Sequence, residues 1–223
     1  MTPPLSAANE LPPRRLCVFL RAPELGRVKT RLAGEIGDRA ALAAYERLVE
    51  HLLGCLDSAP AVKRELWYAG DGGNAQLEQW AATWAASLLA QPEGDLGVRM
   101  LAGLRGAGAG PGPAAPAAAS LLVGADCAGL TAAHCEQAWR ILDADPEAWV
   151  FAPAEDGGFG LVGCRSAAAW LGSPFAGVDW EAGDTLSQCR ERAGRLGLAV
   201  RLIEPLWDVD TAADWARFQQ TFG

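Results

Sequence analysis

The sequence predicts an α/β fold in which a mostly parallel sheet is covered by helices on both faces. Seven short apolar or β-branched runs punctuate the chain, and stretches of helical period fall between most of them, which is the pattern of parallel strands joined by helical crossovers. With 223 residues, half of them hydrophobic, the chain can bury a full core within one domain. Residues 1–14 are expected to form a tail and residues 15–223 that single domain.

In chain order, Leu16–Leu20 is an unbroken apolar run and reads as the first strand. Asp38–Leu56 carries apolar residues at Leu42, Tyr45, Leu48, Val49, Leu52 and Leu56, a spacing near 3.6 that buries one helical face. Glu65–Ala69 and Leu88–Gln91 read as strands, with helices expected over Asn74–Ala86 and Leu96–Leu104. Gly106–Ala119 is almost entirely Gly, Ala and Pro and is expected to be a loose surface connection. Ser120–Val123 follows as a strand and Ala132–Leu142 as a helix. Trp149–Pro153 and Gly158–Cys164 are the next two strands. Asp184–Leu196, Ala199–Ile203 and Ala212–Phe222 close the chain as helix, strand and helix, and several of the helices follow an Asp or Thr able to cap them.

The formal net charge is -8, and no block of Lys and Arg occurs beyond residues 21–31, so no basic stripe for a nucleic-acid backbone is present. No apolar run approaches the roughly 20 residues that cross a bilayer, and Met1–Pro13 lacks the pattern of a signal peptide. The six cysteines include no C-x-x-C pair and lie mostly in apolar runs, so buried reduced thiols and a cytoplasmic location are expected. Only His51 and His134 are available as imidazoles, both in expected helices. A metal site would therefore be built from carboxylates and would take a hard cation, Mg2+ or Mn2+.

Against the acidic background, Arg21, Arg27, Lys29 and Arg31 gather in one loop after the first strand. Pro23 stiffens its exit, Gly26 permits a turn, and Lys29 with Arg31 can reach a nucleotide's phosphates, although a solvated basic turn pairing with surface acids has the same composition. It is not a Walker A loop, because Arg27 and Val28 separate Gly26 from Lys29. Asp126 ends the strand Leu121–Val123 through Gly124, the place where open α/β sheets present ligand contacts; it could equally close a turn or cap the following helix. Asp208 and Asp210 are two apart on an extended stretch and share a face, while Asp210 or Thr211 could cap the last helix. Asp156 precedes Gly157 and Gly158, either to orient a hydroxyl or a metal-bound water, or to make a plain hairpin turn. Gly70–Ala75 matches the dinucleotide pattern G-x-G-x-x-A but follows the second strand, not the first.

The ordered set R-A-P-x-x-G-x-V-K-T-R-L, G-D-L-G-x-R-M, V-G-A-D-C, P-A-E-D-G-G-F-x-L-V-G and D-V-D-T-A-A-D-W, from about Leu16 to the C-terminus, resembles a family of short GT-A-like proteins. These are glycosyltransferase-like, or radical-SAM/selenodomain-associated transferases, similar to 2-phospholactate and molybdenum-cofactor guanylyltransferases. The resemblance implies a three-layer Rossmann-like nucleotide-diphospho-sugar transferase fold, with Arg21, Pro23, Gly26, Lys29 and Arg31 on the nucleotide. It further implies a metal bound by Asp126, with Asp208 and Asp210 as the late acids near a second metal or the acceptor, and places Arg99 in the nucleotide pocket. Gln91 also falls on a family motif. Ala128 stands where the family commonly has Pro, and Val178–Thr185, with Trp180, matches the acceptor-side loop only loosely.

The expected function is a Mg2+- or Mn2+-dependent transferase using Lys29, Arg31, Asp126 and Asp156. It would take a nucleotide or nucleotide-sugar donor and pass a nucleotidyl or glycosyl group to a small-molecule acceptor. Two alternatives remain at this point: a non-catalytic nucleotide sensor of the same fold, and a nicotinamide oxidoreductase using Gly70–Ala75.

Overall fold

A computed structural model describes residues 14–59, 63–106, 119–165, 168–169 and 172–223. Nearly all of the expected tail and of the Gly106–Ala119 connection lies outside these residues. Seven strands form one sheet: β1 (Arg14–Arg21), β2 (Lys63–Ala69), β3 (Ser87–Ala90), β4 (Ala119–Gly124), β5 (Trp149–Pro153), β6 (Phe159–Arg165) and β7 (Val200–Leu202), in spatial order β3-β2-β1-β4-β6-β5-β7. All pairings are parallel except those of β6, which runs against both β4 and β5. The helices with defined bounds among the described residues are α1 (Thr30–Ile36), α2 (Asp38–Leu56), α3 (Ala75–Thr83), α4 (Leu96–Arg105), α5 (Ala132–Ala144), α6 (Thr185–Arg195) and α7 (Ala212–Phe222). All seven expected strands and six expected helices are present; α1, a short helix inside the cationic region, is an addition.

Strand alternation sorts the core. Leu16, Val18 and Leu20 of β1 face one layer, with Tyr45, Val49, Leu52, Trp80 and Trp139 from α2, α3 and α5. Cys17 and Phe19 face the other, with Met100 and Leu104 of α4, Cys189 of α6, and Phe175. Trp139, Trp149 and Phe151 are fully buried, and each such side chain contributes about 1.5–3 kcal/mol relative to exposure. The last helix, α7, seats Phe218 against Leu48, Ala128 and Val209.

A charged knot closes the sheet at the beginning of β1. Arg15 donates to both oxygens of Glu65, at 2.6 and 3.3 Å, and to Ser120 Oγ and the carbonyls of Gly103 and Leu104. Glu65 has no exposed surface and accepts further bonds from Trp67 Nε1 at 3.0 Å and Lys63 Nζ at 3.1 Å. Burial alone would raise the Glu65 carboxyl; the hydrogen bonds and charge of Arg15, with Trp67 and Lys63, outweigh it and bring the group down to about 2. At the opposite edge, β1 and β4 both end on the crevice where the functional side chains collect.

Candidate active site

The cationic loop is folded by its apolar and turn residues. Val28 is buried in the α2 layer, the Arg27 N–H bonds the Glu24 carbonyl at 3.0 Å, and Gly26 takes a φ of 73° that favours glycine. Lys29, at the start of α1, is held at φ 45°, ψ 49°, a left-handed conformation that costs a non-glycine residue about 1–2 kcal/mol. Only 6% of its side chain is exposed, against 78% for Arg31. The Lys29 ammonium lies 2.9 Å from Asp126 Oδ2 and 2.9 Å from Asp210 Oδ1, while Arg31 reaches Asp210 Oδ2 at 3.4 Å. Groups far apart in sequence thus meet at one point.

The acids are placed by backbone. The Ala125 N–H continues the ladder onto the Phe19 carbonyl at 3.0 Å, and the Val209 N–H bonds the Asp126 carbonyl at 3.3 Å, which ties the two acidic segments together. Val209 is buried between Asp208 and Asp210, so both carboxylates turn toward the crevice. Thr211 is the cap of α7, in a reciprocal box with Asp214, and this leaves the Asp210 carboxylate to Lys29 and Arg31. Asp156 Oδ1 accepts from the Gly158 N–H at 2.8 Å, in the turn that joins the antiparallel pair β5 and β6.

Charge and burial then set the protonation states. Burial opposes the charge on Lys29, but the two carboxylates win and hold its pKa above the ordinary range, so it stays an ammonium. Asp126 is likewise disfavoured by burial, and Lys29 lowers it on balance. Asp208 differs: it is half-buried and has no hydrogen bond or ion pair among the described residues. Burial first, then the charges of Asp126, Asp156 and Asp210, raise it from 3.8 to about 6. The native state therefore keeps a proton that the unfolded chain releases, and stability falls as pH rises from about 3.8 to about 6. Asp208→Asn is expected to raise the melting temperature at pH 7.5 and to leave it nearly unchanged at pH 3.5, as read by thermal unfolding across pH.

Arg21, Lys29, Arg31, Arg99, Asp126, Asp156, Asp208 and Asp210 all line one cleft of about 790 Å³. Pro23 and Gly26 shape the loop without lining it; the Pro23 carbonyl accepts instead from Asn74 Nδ2 at 3.3 Å. In the G-D-L-G-x-R stretch, Asp95 caps α4 through the Val98 N–H at 2.8 Å. Gly97 leaves room for Phe175 and Trp180, which a Cβ would meet at 2.8 and 3.0 Å. Arg99 is steered by the Gly94 carbonyl at 3.1 Å. Gln91 donates to the carbonyls of Leu20 and Trp67 and so braces the ends of β1 and β2. Gly70–Asn74 lie outside the cleft lining; Gly72 packs on the Tyr68 hydroxyl and Asn74 caps α3. Sequence reasoning missed Tyr45 and reached Thr185 only as the end of the loosely matched Val178–Thr185 stretch. Tyr45 has the spacing of a core residue, yet its hydroxyl accepts from the Arg21 N–H at 2.8 Å and donates to the Arg21 carbonyl at 2.9 Å.

The three carboxylates Asp126, Asp208 and Asp210 are an oxygen donor set suited to a hard divalent cation, and Asp208, unpartnered among the described residues and with its charge disfavoured by burial and by its acidic neighbours, is the member that a cation would satisfy. Among the described residues no three His, Cys, Asp or Glu side chains already stand at ligand spacing; Lys29 holds the position between Asp126 and Asp210. Nor is any helix among these residues long and apolar enough to cross a membrane.

The chain resembles solved structures over nearly its whole length. A protein from Desulfovibrio desulfuricans G20 assigned as a nucleotide-diphospho-sugar transferase is 25% identical, with a TM-score of 0.74 over 89% of this chain and 83% of that one. A 4-diphosphocytidyl-2C-methyl-D-erythritol synthase shares 12% identity with a TM-score of 0.63, covering 96% of this chain and 100% of the other. For the inositol-1-phosphate CTP transferase from T. maritima the values are 11% and 0.54, over 95% and 97%. The architecture is thus the GT-A-like fold of nucleotide-diphospho-sugar transferases. No curated protein matches in sequence. The profile of one family covers residues 53–182, more than half of the chain, and the protein belongs to that family, described as "Uncharacterized protein conserved in bacteria (DUF2064)".

Proposed function

We propose that the protein is a transferase that binds a nucleotide or nucleotide-sugar in this cleft and passes a nucleotidyl or glycosyl group to a small-molecule acceptor. The observation that carries the reading is the convergence of Lys29, buried and charged, with Asp126, just past the carboxyl end of the parallel strand β4, and Asp210, in the loop before α7. Arg21, Arg31 and Arg99 line the same cleft and supply further donors for phosphate oxygens. The solved transferases of this fold support the class of reaction.

In this reading Lys29 and Arg31 hold the donor's phosphates and offset the charge that grows on the leaving group, where fixed donors in a water-poor site act most strongly. Asp126, Asp208 and Asp210 would hold Mg2+ or Mn2+, which when bound neutralises phosphate charge. Asp156, on the β5–β6 turn of the same cleft, orients the acceptor. The Tyr45 hydroxyl is spent on the β1 terminus, and burial raises its pKa, so it positions Arg21 and takes no proton. Cys127 is excluded as a nucleophile, because burial and the neighbouring acids hold its thiol protonated. Six free cysteines, five of them buried, fit a reducing compartment and support a cytoplasmic location.

A thermal-shift screen of nucleoside triphosphates and sugar nucleotides, each with and without Mg2+ or Mn2+, tests the proposal. One nucleotide class is expected to raise the melting temperature in a metal-dependent way. Pyrophosphate release would then identify nucleotidyl transfer, and nucleoside diphosphate release glycosyl transfer. No shift with any nucleotide at millimolar concentration would overturn it.

A further inference from the structure

The cleft has a second chemical feature, on the β5–β6 turn and the start of α6. Thr185 opens α6 and is only 9% exposed, yet its hydroxyl has no hydrogen-bond partner among the described residues and keeps open surface in the cleft. Open to the cleft and unpaired among these residues, the hydroxyl is free to donate to and accept from a ligand. Directly beside it, Gly158 leaves a cradle. A Cβ there would lie 3.0 Å from Asp156 Oδ1, 3.6 Å from Asp156 Oδ2 and 3.4 Å from Thr185 Oγ1.

A ligand atom in that cradle would meet a carboxylate and a hydroxyl together. The carboxylate is pinned by the Gly158 N–H at 2.8 Å. The start of α6 is pinned in turn by the Leu186 N–H on the Gly157 carbonyl at 3.1 Å. Such a pair accepts and donates to a neutral O–H and repels an anion. Nearby, Phe159 and Trp180 line the cleft with ring centroids 6.5 Å apart, and Glu181 adds a second carboxylate. Apolar ring surface beside hydrogen-bonding acids suits a hydroxylated ring or chain.

Resting on the transferase reading above, we propose that the cradle between Asp156 and Thr185, opened by Gly158, seats the reacting hydroxyl of an uncharged polyhydroxy acceptor. Thr185 and Asp156 fix the acceptor oxygen. Its lone pair forms the new bond to the donor's electrophilic centre as the bond to the phosphate leaving group breaks. The leaving group departs with that electron pair, and the acceptor proton passes to the Asp156 carboxylate.

The test uses the full chain with its nucleotide donor and a panel of neutral sugars and glycerol set against sugar phosphates and inorganic phosphate. Neutral hydroxyl compounds are expected to serve as acceptors. Thr185→Val should raise the acceptor KM at least about tenfold while nucleotide affinity by calorimetry stays within about twofold, and Thr185→Ser should restore the KM. Gly158→Ala, which fills the cradle, should abolish transfer with nucleotide affinity kept. Nucleotide binding and turnover with phosphorylated acceptors alone, or an acceptor KM indifferent to both Thr185→Val and Gly158→Ala, overturns the proposal and leaves the donor site standing. Loss of all nucleotide binding in the unaltered protein instead removes the transferase reading, and the proposal with it.

Discussion

Replacing Lys29 with alanine lowers turnover by about a hundredfold or more, the loss expected when a fixed donor at developing charge is worth about 2.7–4 kcal/mol. The side chain is buried, charged and 2.9 Å from two carboxylates, so no other group takes over its position. Its removal also leaves Asp126 and Asp210 facing each other with only the exposed Arg31 as counter-charge. The carboxyl of Asp126, which Lys29 now lowers, should then titrate at higher pH. Steady-state kinetics with the identified donor gives the first quantity, and carboxyl titration by NMR the second. A Lys29→Ala protein that turns over at the original rate would remove Lys29 from the mechanism.

The second large effect lies at the far end of the sheet and concerns stability alone. Arg15→Met takes the guanidinium from the fully buried Glu65 and leaves it Lys63, Trp67 and the Cys17 thiol among the described residues, and removing one partner of a buried ion pair costs about 3–5 kcal/mol. Urea unfolding at pH 7 should show the loss as a lower midpoint at unchanged slope. In the unaltered protein, Glu65 folds with a depressed pKa, so the stability it adds is complete above its ordinary value of 4.5 and disappears as pH falls toward about 2. In the variant that acid-linked loss should shrink, because protonation removes the underpaired charge, and the stabilities of the two proteins should converge as pH falls. Replacing Glu65 by leucine as well should recover most of the midpoint, because the penalty belongs to the unpaired charge.

Strand and helix positions were legible because period and burial coincide: Leu16, Val18 and Leu20 alternate with Cys17 and Phe19 between two core layers. The convergence of Lys29 with Asp126 and Asp210 was legible as an expectation, since strand ends in a parallel sheet share one edge. Other features were not. The reversal of β6 against β5 was legible only as the hairpin reading of the Asp156 turn, and its insertion between β4 and β5 carries no mark in sequence. Helix α1 is seven residues long with a lysine in a left-handed conformation at its start, so no periodic stripe announces it. Thr185 reads as an ordinary first-turn residue; its open hydroxyl is a property of Gly158 and Asp156, which the chain brings beside it from another turn. Pro23 and Gly26 carried a functional signature in sequence because turn-formers and ligand-contacting residues share one composition.

The single strand that runs backward has a consequence for how the molecule could change. Because β5 arrives at the working rim and β6 departs from it, one short bend stays there without crossing either layer of helices. Lengthening or recasting that bend would redraw what is received beside the phosphates while the cationic loop after β1 keeps its own scaffold. The architecture thereby separates a mechanical frame from a replaceable edge, and selectivity can be revised without refolding.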